Sequence, residues 1–133
     1  METLRIQFPS VMENIRLVES FIDNAKEKFH ITDDVYGNIM VAVTESVNNA
    51  ILHGNKSDIT KNVSLSLLID KAILKCVVED EGQGFDYENL PDPTSPENIN
   101  KIGGRGVFLI KNLSDGVAFE NKGKKIEMTF NLQ

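Results

Sequence analysis

The sequence predicts an α+β fold, a two-layer sandwich with helices on one face of a mainly antiparallel sheet. Three observations lead there. Apolar residues recur at helical spacing early in the chain, over residues 11–25 and 36–51. Strand-like alternation dominates later, over residues 63–69, 74–78 and 126–132. Short turn signals separate those later strands, the pattern of helices packed on a sheet of hairpins.

The elements follow in order. Leu4, Ile6 and Phe8 alternate as a first strand, ended by Pro9. Ser10 is placed to cap a helix, with Glu13 as its capping-box partner. Val11, Ile15, Val18, Ile22 and Ala25 then mark that helix, and His30 falls in the loop beyond it. Thr32 or Asp33 caps a second helix with the stripe Tyr36, Ile39, Met40, Val43, Val47, Ala50 and Ile51, and Gly54 is placed to stop it. Val63, Leu65, Leu67 and Ile69 form the next strand. Asp70-Lys71 reads as a hairpin turn, and Leu74, Cys76 and Val78 share one face of the strand that returns. Residues 86–102 hold Pro91, Pro93 and Pro96 and have no periodicity. Gly103-Gly104-Arg105-Gly106 leads into a short helix with Val107, Leu109, Ile110 and Leu113. Residues 117–120 and 126–132 close the chain as a hairpin around Asn121-Lys122-Gly123.

The 133 residues fit one domain, and 41% apolar content is enough for a globular core. The net charge is −6 and no Lys/Arg cluster breaks the acidic balance, which argues against duplex nucleic acid or anionic membrane as a partner. The lone cysteine, Cys76, has no internal disulfide partner and sits in an apolar run. It reads as a packing thiol in a reducing, cytoplasmic setting. The first residues lack the charged head and apolar stretch of a signal peptide. No apolar run approaches the ~18 residues of a membrane span.

Three places carry chemistry. On the second helix, Glu45 and Asn49 are four apart and share a face with Asn48, away from the apolar stripe. Consecutive asparagines weaken a helix interior. A carboxylate there can deprotonate or orient a nucleophile, and an amide oxygen one turn on can ligate Mg²⁺. A solvated helix face is the plain alternative. Asp80 continues the inward face of Leu74, Cys76 and Val78, and a buried carboxylate needs donors. The exocyclic amine of adenine is one such donor. Gly82 and Gly84 behind it allow close approach to backbone, although an aspartate opening a glycine turn is common. Finally, Gly104, Arg105 and Gly106 open a helix, where exposed N–H groups and the dipole attract an anion. The spacing is neither a Walker A loop nor a dinucleotide fingerprint, and glycine runs also serve as plain linkers.

Taken together and in this order, the three resemble the nucleotide-binding boxes of the GHKL ATPase superfamily. Residues 45–55, Glu-Ser-Val-Asn-Asn-Ala-Ile-Leu-His-Gly-Asn, resemble the N box. Asp80-Glu81-Gly82-Gln83-Gly84-Phe85 resembles the G1 box, and Gly104-Arg105-Gly106 the G2 box. Nearly the whole chain is similar to bacterial anti-sigma factor serine/threonine kinases of the partner-switching type. The resemblance implies a Bergerat-type α/β sandwich with a mixed, mainly antiparallel sheet, and ATP and Mg²⁺ as cofactors. It implies Glu45 as general base, Asn49 as Mg²⁺ ligand, Asp80 as adenine reader, and Gly82 and Gly84 shaping the pocket. Gly104, Arg105 and Gly106 would meet the phosphates, and residues 86–102 would form an ATP lid. The family phosphorylates a serine or threonine of an anti-sigma antagonist and sequesters a sigma factor, usually as a homodimer. Two departures stand out. Many members carry threonine after the glycine of the last hairpin, where Gly123 is followed here by Lys124 and Lys125. Phe108 replaces the further G2 glycine of histidine kinases, and no dimerisation helix with a phosphoacceptor histidine is present.

The expected activity is therefore an ATP-dependent protein kinase that regulates an anti-sigma system. A nucleotide-gated binding module without catalysis is the alternative, and a detached histidine-kinase catalytic domain a further one. Retention of both Glu45 and Asn49 favours the enzyme.

Overall fold

The computed structural model describes residues 1–82 and 104–132. Strand β1 (Glu2–Pro9) leads through a 3₁₀ turn (Met12–Asn14) into helix α1 (Ile15–Phe29). Helix α2 (Asp33–Asn49) runs on into a π-helical turn (Ala50–Gly54). Strands β2 (Asn62–Asp70) and β3 (Ile73–Glu79) form a hairpin. Helix α3 (Gly104–Leu113), strand β4 (Gly116–Glu120), a 3₁₀ turn (Asn121–Gly123) and strand β5 (Lys125–Asn131) complete the described chain. The sheet order is β1-β2-β3-β5-β4, and every pairing among the described residues is antiparallel.

The alternation read from the sequence fixes the register. Opposed residues line up in rows across all five strands. Ile6, Leu65, Val78, Ile126 and Phe119 make one row, and Leu4, Leu67, Cys76, Met128 and Val117 the next. A slip by one residue would turn each row into solvent, so burial of this face specifies the pairing. Against it pack Val18, Ile22 and Ala25 of α1, Ile39, Val43, Val47 and Ile51 of the second helical segment, and Ile110 of α3, in one core cluster. Burial raises the thiol pKa of Cys76 well above its ordinary value, so it packs as an inert apolar group. No helix among the described residues is long and apolar enough to cross a membrane.

Local details depart from the sequence reading in four places. Ser10 caps no helix. Its hydroxyl is buried and donates to the Lys61 carbonyl at 2.7 Å, and Val11 rather than Ser10 precedes the 3₁₀ turn. A long-range partner outcompeted the local cap. Thr32 stands at the N-cap of α2 with extended backbone, but its side chain makes no capping bond. The β2–β3 turn residues are Lys71 and Ala72, one position later than expected, because Asp70 pairs with Ile73. Lys71 adopts left-handed backbone there, φ 59°. Gly104, Arg105 and Gly106 form the first turn of α3 instead of preceding it.

Phe130 is 1% exposed on the central face, packed within this cluster. Phe130→Ala should lower unfolding free energy by about 3–5 kcal/mol. Urea denaturation checks this, and a loss under ~1 kcal/mol would place Phe130 outside the core.

Candidate functional site

Helix α2 does not end as an ordinary α-helix. The Asn55 N–H donates to the Ala50 carbonyl at 2.8 Å, five residues back, and Ser57 reaches Ile51 at 2.7 Å. The wider π turn carries the chain through Gly54, and such turns recur at functional sites. Gly54 reads as a helix stop from its place in the sequence, but nothing in the local pattern signals the π geometry.

That turn presses Gly54 against the end of β3. A Cβ on Gly54 would lie 2.4 Å from Asp80 Oδ2, and one on Gly82 would lie 1.8 Å from the Gly54 carbonyl oxygen. The backbone oxygen leaves no room for a side chain at Gly82, and one at Gly54 would displace the Asp80 carboxylate, so both glycines answer to close approach. Asp80 continues the inward row of β3. Its N–H donates to the Lys124 carbonyl at 2.9 Å, and its Oδ1 accepts from the Gly82 N–H at 2.8 Å. Oδ2 has no donor among the described residues. Burial raises the Asp80 pKa above the ordinary carboxylate value, opposed by the Gly82 N–H and by the charges of Lys124 and Lys61. An inward carboxylate with one oxygen held and the other free suits a ligand that brings its own donor.

One turn before the π segment, the polar residues of α2 are half-buried, not a solvated face. Asn49 Nδ2 and Asn48 Oδ1 are both enclosed and unpartnered. Asn49 lies against the first turn of α3, where a Gly106 Cβ would be 2.7 Å from Nδ2. Orphaned buried amide atoms of this kind cost about 1–3 kcal/mol each, a cost that a bound ligand can relieve. Glu45 is also half-buried, and no hydrogen bond or ion pair holds its carboxylate among the described residues. No cluster of three His, Cys, Asp or Glu that could hold a metal occurs among the described residues. Mg²⁺ does not demand such a cage, since it keeps waters and binds through one or two protein oxygens together with phosphates. The amide of Asn49 fits that role.

The structure thus places Asp80 and Gly82 against the π turn at Gly54 and Gly106 against Asn49, with Glu45 one turn earlier on α2. Arg105 and Gly104 share the first turn of α3 with Gly106. Gly84 and residues 86–102 lie outside the described residues. Burial lowers the pKa of His53 in the π turn and favours its neutral ring. Sequence reasoning missed the part played by Asn55. It is 1% exposed and bonds three separate segments. It stood in the N-box stretch, but no periodicity or charge pattern set it apart.

The chain was compared with known proteins. Residues 8–130 match the family model of the histidine kinase-like ATPase domain. The chain is 31% identical over 136 residues to the serine-protein kinase RsbW of Staphylococcus aureus strain JH9, covering 95% of this chain and 84% of the relative. The RsbW of strain Newman gives the same figures. Among solved structures, it is similar to the RsbU and RsbW domains of a Mycobacterium tuberculosis protein, with TM-score 0.72 and 15% identity. That match covers 99% of this chain and 32% of the other, so the chain spans about a third of that protein chain's length.

Two outcomes are expected here. Asp80→Asn should weaken ATP binding by roughly 10- to 150-fold, as loss of a buried charge-assisted hydrogen bond would. It should also stabilise the nucleotide-free protein at neutral pH. The folded-state pKa of Asp80 lies above the unfolded one, so the ionised carboxylate is a burden on the fold that fades as pH falls through the raised value. Calorimetry and thermal denaturation measure the two effects, and unchanged ATP affinity would remove Asp80 from the site. Gly82→Ala should abolish nucleotide binding by forcing Gly54 and Gly82 apart, and wild-type affinity would show that the contact is dispensable.

Proposed function

The chain belongs to the histidine kinase-like ATPase domain family, and on that premise we propose that it is an ATP-dependent serine/threonine protein kinase of the partner-switching type. The observation that carries the reading is that Asp80 and Gly82 meet the π turn at Gly54 while Gly106 meets Asn49 on the last turn of α2, one turn on from Glu45. Its partners are an antagonist protein that bears the accepting hydroxyl and a sigma factor held in check, with the kinase acting as a homodimer in the cytoplasm. Similarity to RsbW serine-protein kinases supports this reading.

ATP supplies the transferable phosphoryl group, and Mg²⁺ offsets its charge. The protein's own groups do the rest. Asp80 Oδ2 accepts a hydrogen bond from the adenine amine, while the Gly82 N–H keeps Oδ1 turned away. Gly54 and Gly82 let the helix end and the turn close against that carboxylate, where a Cβ on either residue would clash. Asn49 offers its amide oxygen to Mg²⁺. The N–H groups of the first α3 turn, at Gly104, Arg105 and Gly106, would meet the phosphates with the help of the helix dipole. Glu45, unpartnered among the described residues, takes the proton from the incoming serine or threonine hydroxyl or orients that hydroxyl.

Glu45 and Asn49 share a helix face, so contrasting effects separate role from proximity. Glu45→Ala should lower phosphoryl transfer by ~10²–10⁴-fold and leave ATP affinity nearly unchanged. Asn49→Ala should weaken both. Single-turnover transfer from labelled ATP to candidate antagonist proteins, measured beside ATP affinity, decides it. Wild-type transfer by Glu45→Ala would exclude the general-base role. ATP binding without transfer to any partner would favour a nucleotide-gated binding module.

A further inference from the structure

We infer that Asn55 is a positioning residue of the nucleotide site, acting through the turn that carries Asp80 and Gly82. The inference rests on the nucleotide-binding reading above. Asn55 is 1% exposed, and its side chain makes three bonds. Nδ2 donates to Ser10 Oγ at 2.7 Å and to the Asn62 carbonyl at 3.0 Å. Oδ1 accepts from the Glu81 N–H at 2.8 Å.

The partners fix which way the amide points. A carbonyl only accepts and a backbone N–H only donates. Ser10 Oγ spends its own proton on the Lys61 carbonyl, so it too must accept from Asn55. Both amide protons and the amide oxygen are therefore assigned, and no other side chain of this size supplies two donors and an acceptor in that layout. Four segments meet here. They are the exit of β1 at Ser10, the end of the π turn at Asn55, the entry to β2 at Lys61 and Asn62, and the turn after β3 at Glu81. Glu81 closes the circuit, its Oε1 accepting from the Asn62 N–H at 2.5 Å.

The location gives this network its functional weight. Glu81 lies between Asp80 and Gly82, so the bond to its N–H holds the turn that aims the Asp80 carboxylate. Asn55 directly follows Gly54, whose carbonyl oxygen lies where a Gly82 Cβ would have to be. One side chain thus sets the separation between the helix end and the turn. Asn55 faces polar backbone instead of the ligand, so its influence falls on affinity and not on the transfer step.

The test uses Asn55→Asp and Asn55→Ala in the full chain. Asn55→Asp keeps the shape but turns a carboxylate oxygen toward the Asn62 carbonyl and Ser10 Oγ. Asn55→Ala removes all three bonds without repulsion, and it carries the test if Asn55→Asp does not fold. Val18→Ala, a core truncation on α1 remote from the network, controls for general destabilisation. Calorimetry with ATP and Mg²⁺ well below each Tm, with transfer at saturating ATP, gives the readout. The expected result is a loss of ATP affinity of about 10-fold or more for either Asn55 variant. Saturated transfer should stay near wild type, and Val18→Ala should keep its affinity. Wild-type affinity in a folded Asn55 variant, or an equal loss in Val18→Ala, would overturn the positioning role. A wild-type protein that binds no ATP would instead overturn the proposed function, and this inference with it.

Discussion

The structure turns on one close approach, that of the Gly54 carbonyl to the backbone of Gly82 beside the Asp80 carboxylate. It joins the end of the long helix to the end of a central strand with no side chain between them. Everything upstream serves that meeting. The β2–β3 hairpin delivers Asp80 at the edge of a buried row, and the π turn swings Gly54 into place. The Asn55 network then ties both to β1 and β2.

A second consequence is energetic. A half-buried carboxylate with one oxygen unbonded among the described residues, and two enclosed orphan amide atoms on Asn48 and Asn49, are destabilising features in a small domain. They lie on adjoining elements, whereas the apolar core beneath them is continuous across the sheet. Stability thus resides in the rows of the sheet and the helix stripes, and among the described residues the unsatisfied polar atoms gather on the last turn of α2 and at the end of β3, with Ser114 Oγ beyond α3 the exception. Polar groups left without partners at one place are what a site prepared for a charged, donor-bearing ligand requires.

Much of this was legible in the sequence. Strict alternation in Leu65, Leu67, Leu74, Cys76, Val78, Ile126 and Met128 specified strands and inward faces, because a buried sheet face leaves no freedom of register. The inward aim of Asp80 followed from the same alternation, and the stripe of α2 from helical spacing. The misses share a physical cause. Ser10 looked like a helix cap because its local pattern allowed one, but the Lys61 carbonyl and Asn55 lie 51 and 45 residues away and no local rule sees them. The π turn and the role of Asn55 likewise depend on tertiary contacts. A solvated face stayed open as the alternative for Glu45 and Asn49, because helical spacing shows which residues share a face, not whether a neighbouring helix half-covers it.

Under the proposed function, the end of α2 with its π turn, the turn after β3 and the start of α3 form one nucleotide site. Backbone amide NMR during titration with ATP and Mg²⁺ tests it most directly. The account expects saturable shifts at Asn49, Gly54, Asp80, Glu81, Gly82 and Gly106, with little change at the Lys71 hairpin turn. Shifts confined elsewhere would contradict it, for example at the cavity of about 350 Å³ lined by Asp23, His30 and Tyr36 near the other end of α2.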